Sequence, residues 1–185
     1  MSDEMLDTLK SIHANALRVA SEISDDQWTL ATPCSEWNVG QLVNHITGSI
    51  NVLSDAAERV APTMEPNDDH SGDDPIGALK AATEKSQRAW AADGALEGMV
   101  TVPGDMPASV CLGITILDSG THVWDLATAI GAEHGLTNAD VAMIDSWNRQ
   151  VVVGDVRAGG GFGEELAPAS EAALTSMLAF VGRRG

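Results

Sequence analysis

The chain has 185 residues, 44% of them hydrophobic and 20% charged, proportions that suit one globular domain, 1–185, with room for a core. Ten Lys and Arg stand against 27 Asp and Glu, a formal charge of −17, and so acidic a surface repels phosphate backbones and anionic headgroups. No nucleic acid and no membrane is therefore expected among its partners. The opening MSDEMLDTLK has neither a basic segment nor an apolar run after it, and no stretch reaches about 18 uninterrupted apolar residues, so a cytoplasmic location is expected. Cys34 and Cys111 are far apart and form no CxxC, which leaves no basis for a disulfide scaffold or a multi-thiolate zinc site, and the absence of tyrosine removes a phenolic acid or nucleophile.

Met5, Leu6, Leu9, Ile12, Leu17 and Val19 recur mostly at helical spacings and predict a first helix from Asp3 to about Ile23. Residues 25–38, with Trp28, Pro33, Cys34 and Trp37, lack a steady period and read as a packed loop. Asn38 followed by Gln41 forms a variant capping box, and Val39, Leu42, Val43, Ile46, Ile50 and Leu53 continue it as a second helix to about Val60. Three prolines among acidic residues make 61–75 an exposed loop, and Pro75 opens a third helix reaching about Ala92. A short β-prone piece, Met99 to Val102, lies in an elaborated crossover. A long apolar helix from Val110 to Ile130 follows, stopped by Gly131. Asn138 to about Val156 reads as a fifth helix, although Val151–Val153 equally suits a strand, and Ala169 to Val181 as a final one. The pattern implies an all-α helical bundle.

Asp118, His122 and Asp125 stand at i, i+4 and i+7 of the fourth helix, which places them on one face beside Ile114, Leu117, Thr121 and Ala129. A carboxylate in such an interior stripe needs a partner, and a divalent metal is an efficient one. His45, beside Ile46 at the edge of the second helix's stripe, can point between helices. Three donors drawn from two helices leave a coordination position open, as catalytic metal sites do. The same spacing also arises as an ordinary helical side-chain pair, and both readings stand at this point. Asp125 has three roles open, orienting His122, serving as a fourth ligand, or capping a neighbouring helix, with the supporting role favoured. His13, His70 and His134 are expected to be solvated, and Cys34 and Cys111 to be buried apolar thiols. GGGFG at 159–163 lacks the strand, lysine and helix start of a phosphate loop and reads as a connection.

The segments TPCSEWNVGQLVNHITG and HVWDLATAIG resemble the mycothiol-dependent maleylpyruvate isomerase N-terminal family, within the wider DinB-like group of metalloenzymes. The resemblance extends through VTVPGDMPASVCLGITILDSGTHVWDLA to GFGEELAP and MLAFVGR, nearly the whole chain. It implies a DinB-like four-helix bundle in up-down-down-up order, with a long crossover and additional C-terminal helices. It also implies a divalent metal, zinc first and nickel second, held by His45, Asp118 and His122. The family's isomerase members have Glu where Asp118 stands here and carry a further C-terminal domain that contributes to the substrate site, so a stand-alone metal-binding protein is expected. Three functions follow. In the first, a low-molecular-weight, mycothiol-like thiol is the cosubstrate in transfer to, or isomerisation of, a small electrophile. The second is a metal-dependent hydrolase with Asp125 or another carboxylate as catalytic base, and the third a non-catalytic metal- or ligand-binding protein. The group also suggests a homodimer.

Overall fold

The computed structural model describes residues 2–101, 104–158 and 162–185. Among them are seven helices: α1 (Ser2–Ser21), α2 (Val39–Ala57), α3 (Pro75–Trp90), α4 (Ala108–Ile130), α5 (Asn138–Val151), α6 (Gly154–Ala158) and α7 (Ala173–Phe180). One antiparallel ribbon, β1 (Met99–Val100) with β2 (Met106–Pro107), precedes α4. This is the expected all-α, DinB-like class.

The helix ends follow the local chemistry. Asn38 Oδ1 accepts the Gln41 backbone N–H at 2.9 Å, and Gln41 Oε1 accepts the Asn38 N–H at 3.0 Å, so two otherwise orphaned donors of α2 are satisfied reciprocally. Asp74 caps α3 through the Gly77 N–H, with Pro75 in the first turn. Gly131, at φ 73°, ends α4 in the left-handed conformation that its missing side chain permits.

Both α1 and α2 pack against α3 and α4, so α1 and α2 occupy one diagonal of the four-helix ring and α3 and α4 the other. The connection 22–38 therefore passes from one side of the bundle to the other, and α3 and α4 likewise stand on opposite sides. Ile12, Leu42, Ile46, Leu79, Leu112 and Ile116 fill the shared interior. Helix α5 leans on α4 and α1, and α7 on α5. No helix among the described residues is long and apolar enough to cross a membrane.

Several boundaries differ from expectation. Helix α5 stops at Val151, because the chain turns at Val152 and Gly154 (φ 50°) before the short α6, and Val151–Val153 forms no strand. Helix α7 starts at Ala173 rather than Ala169, since the Ser170 hydroxyl bonds the Ala172 N–H and Thr175 and holds 170–172 in a turn. The β-prone piece is realised at Met99–Val100, while Val102 and Gly159–Gly161 of the glycine-rich segment lie outside the described residues.

His13 is a correction: expected to be solvated, it is 0% exposed, because α3 packs over its side of α1. Burial lowers its pKa to about 4. A folded pKa below the unfolded value of 6.5 means that the unfolded chain takes up the proton first, so stability is lost as pH falls through that window. Relative to His13→Leu, the wild type should lose about 3 kcal/mol between pH 6.5 and 4. Urea unfolding across that range measures it, and equal slopes for the two proteins would remove His13 from the account.

Candidate metal centre

His45 lies two turns into α2, and Asp118 and His122 one turn apart on α4, so two packed helices bring the three together. Asp118 Oδ1 stands 3.5 Å from His45 Nε2 and 3.6 Å from His122 Nε2. All three donor atoms lie within 4.8 Å of one another. These separations are long for hydrogen bonds. The two oxygen–nitrogen separations match the distance of about 3.4 Å between ligand atoms around a tetrahedral centre with bonds of about 2.1 Å. Asp118 Oδ2 is buried without a hydrogen-bond partner, a costly arrangement for a carboxylate whose neighbours are two imidazoles and the Ser49 hydroxyl.

Each histidine is oriented from behind. His45 Nδ1 is 2.9 Å from Asn67 Oδ1, and His122 Nδ1 is 3.0 Å from Asp125 Oδ2. With these oxygens as acceptors, Nδ1 of each ring carries a proton, and Nε2 is the atom each ring turns toward Asp118. Trp37 stacks on His45, centroids 3.9 Å apart, and meets His122 edge-on at 5.5 Å, closing one side with an indole. The loop holds Trp37 because the Thr32 hydroxyl bonds its carbonyl and Leu30 receives the Val39 N–H just after it.

Burial works to raise the pKa of Asp118, but His45 and His122, with a hydrogen bond from the Ser49 hydroxyl, outweigh it and hold the carboxyl below the usual range. For His45, burial works to lower the pKa, and the Asp118 charge with the bonds to Asp118 and Asn67 reverses the direction.

The loop 61–75 reaches the site through one close approach. A Cβ on Gly48 would lie 2.0 Å from the Pro66 carbonyl oxygen, so only glycine at 48 lets Pro66 and then Asn67 lie against α2. Asn44 receives the N–H groups of His70 and Ser71, and the His70 ring bonds the Glu65 carbonyl oxygen. His70 is thus half-buried and holds the loop, rather than being solvated. Among the described residues, its acidic neighbours do not assemble into a group of metal-capable donors. His134 is also half-buried, its Nδ1 accepting the Leu136 N–H in a local turn. A cleft of about 370 Å³ is lined by Trp37, Gly40, Gln41, Asn44, Asn67, Asp69 and Ser71, so it shares with the centre the two residues, Trp37 and Asn67, that contact the His45 ring.

A second set of donors, Cys34, His122 and Asp125, lies on the far side of the His122 ring. There the positive charge is already supplied. Arg183 grips Asp125 with Nε to Oδ1 at 3.2 Å and Nη2 to Oδ2 at 3.1 Å. Asp125 is 0% exposed, and burial, which would raise its pKa, is outweighed by His122 and Arg183. Cys34 and Cys111 are buried thiols as expected, Cys111 pushed by burial up to about 12.

Comparison with known proteins now decides the family. The family model described as the mycothiol maleylpyruvate isomerase N-terminal domain matches residues 9–127. The chain belongs to that family. Two proteins of Mycobacterium tuberculosis are similar to it, the uncharacterised Rv0738 of strain H37Rv and the uncharacterised MT0763 of strain CDC 1551, each 29% identical over 168 residues covering 88% of both chains. No solved structure matches significantly. The stretch shared with the mycothiol maleylpyruvate isomerase N-terminal domain contains His45, Asn67, Asp118, His122 and Asp125 but ends well before Arg183. Arg183, Asn67 and the Trp37 stack were not singled out from sequence. The one available signal was Asp125, an acidic residue on an interior face with no Lys or Arg one turn away.

Proposed function

We propose that His45, Asp118 and His122 hold a divalent cation, zinc first and nickel second, and that this chain, as one DinB-like domain, uses a mycothiol-like thiol in transfer to, or isomerisation of, a small electrophile. The observation that carries the metal reading is the convergence of three donor atoms on one point, with Asp118 Oδ2 left orphaned in the interior. Two nitrogens and a carboxylate oxygen suit zinc or nickel, and three protein ligands leave room for a substrate atom. The thiol and the small-molecule substrate rest on the family.

When bound, such a cation supplies Lewis acidity and favours the thiolate form of a sulfur ligand. The chain's own residues do the rest. Asn67 and Asp125 fix the two imidazoles so that neither has to reorganise. Trp37 covers the His45 ring and keeps water from that side. The cleft that Trp37 and Asn67 border offers the polar groups of Gln41, Asn44 and Ser71 to a ligand. Asp125, with both oxygens engaged by His122 and Arg183, serves to orient His122 rather than to take a proton from substrate.

The test is metal analysis of untagged protein, followed by consumption of maleylpyruvate and a panel of electrophiles with and without mycothiol. About one zinc or nickel per chain and turnover that needs both metal and thiol are expected. Equal turnover after chelation would sink the metal reading. Turnover without thiol would replace transfer by hydrolysis, and metal binding with blank screens would leave a binding protein.

A further inference from the structure

We infer that Arg183, in the segment following α7, is a positioning residue of this centre: it fixes Asp125 and, through it, the ring orientation and tautomer in which His122 presents Nε2 beside Asp118 and His45. The inference rests on the metal reading above for its purpose, but its geometry involves only protein atoms.

An arginine is ordinarily solvated, as the neighbouring Arg184 is. Arg183 is instead 6% exposed. Gly182, at φ 78°, turns the chain at the end of α7, and a Cβ there would lie 2.6 Å from Gly163 Cα, so the turn and its close packing both depend on glycine. The Arg183 N–H bonds the Leu178 carbonyl oxygen at 2.8 Å, and Nη1 bonds that of Val181 at 3.0 Å. Backbone and head group are therefore both anchored, and the remaining edge of the guanidinium meets the two Asp125 oxygens in parallel. Asp125 Oδ2 receives Nη2 of Arg183 and Nδ1 of His122 together.

The consequence is directional. A carboxylate gripped on both oxygens cannot rotate, so the His122 ring is held in one plane with its Nδ1 proton assigned. Lysine, a point donor on a flexible stem, would hold one oxygen and leave the plane free. A purely structural ion pair would stabilise the fold equally well with either histidine tautomer, and that is where the two accounts part.

Long-range proton–nitrogen correlation spectra of metal-free, nitrogen-15-labelled protein read the His122 tautomer directly, and zinc affinity is read separately by competition with a chelator. The wild type should show His122 protonated on Nδ1 alone. In Arg183→Met the signal should move toward a mixture of tautomers and zinc affinity should fall roughly tenfold to a hundredfold, with Arg183→Lys recovering part of both. A folded Arg183→Met with unchanged tautomer and unchanged zinc affinity would overturn the inference. Should Arg183→Met fail to fold, Arg183→Gln, which keeps a donor but not the charge or the fork, is judged by the same criteria, and collapse of both would reduce Arg183 to a structural ion pair. A wild type that takes up no zinc, beside a tautomer that still shifts in Arg183→Met, would sink the metal reading and leave the positioning role standing.

Discussion

Zinc binding should be lost in His122→Ala, with the fold retained. The substitution removes the Nε2 donor shared with Asp118 yet leaves the Asp125–Arg183 pair intact. If four-ligand sites in small domains gain roughly 10–16 kcal/mol from zinc, one ligand accounts for about 3 kcal/mol, so affinity should drop by more than about a hundredfold. His45→Ala and Asp118→Asn should follow, the latter because an amide keeps the shape and removes the charge. Elemental analysis after dialysis, with circular dichroism to verify folding, measures the set. Stoichiometric zinc surviving in all three variants would return these residues to an ordinary buried polar cluster.

Asp125→Ala should be the most destabilising single change at the site. It leaves the Arg183 guanidinium nearly fully buried with no counter-charge, and breaking a buried pair from one side costs about 3–5 kcal/mol. For a chain of this size the midpoint of thermal unfolding should fall by about 10 °C. Removing both partners together, Asp125→Leu with Arg183→Met, should recover much of the loss, because the penalty lies in the stranded charge rather than in the missing attraction. A double variant no more stable than Asp125→Ala would contradict that account. The pair also has a definite pH sign. The folded pKa of Asp125 is depressed, so its stabilisation is present above the ordinary carboxylate range and fades as pH falls below it.

The parts of this fold that were legible in the sequence are those set by neighbours in sequence. Asn38 with Gln41, Pro75 and Gly131 mark helix ends because capping acts over three or four residues. Asp118 and His122 were legible as a pair because a turn of helix fixes their relation, and His45 because a histidine beside an apolar stripe has few other places to face. What escaped was decided at long range. His13 sits next to Ile12 on a helix with many charges, and only the packing of α3 determines that it is enclosed. Asn67 reaches His45 through a loop whose path depends on Gly48, and Arg183 reaches Asp125 across 58 positions by way of a turn at Gly182. The ends of α5 and α7 were misplaced for a related reason. Apolar periodicity continued past them, while Gly154 and the Ser170 hydroxyl redirected the backbone.

The donors and the groups that surround them are carried by different parts of the chain. His45, Asp118 and His122 sit on α2 and α4, rigid members of the bundle, whereas Trp37 and Asn67, which border the cleft, come from the connections on either side of α2. Loops accept substitution and changes of length far more readily than packed helices do. Altering 22–38 or 61–75 would therefore reshape the cleft while leaving the three side chains on α2 and α4 where they are. Differences in loop length and sequence on a fixed pair of helices would then change the entrance without disturbing the donors.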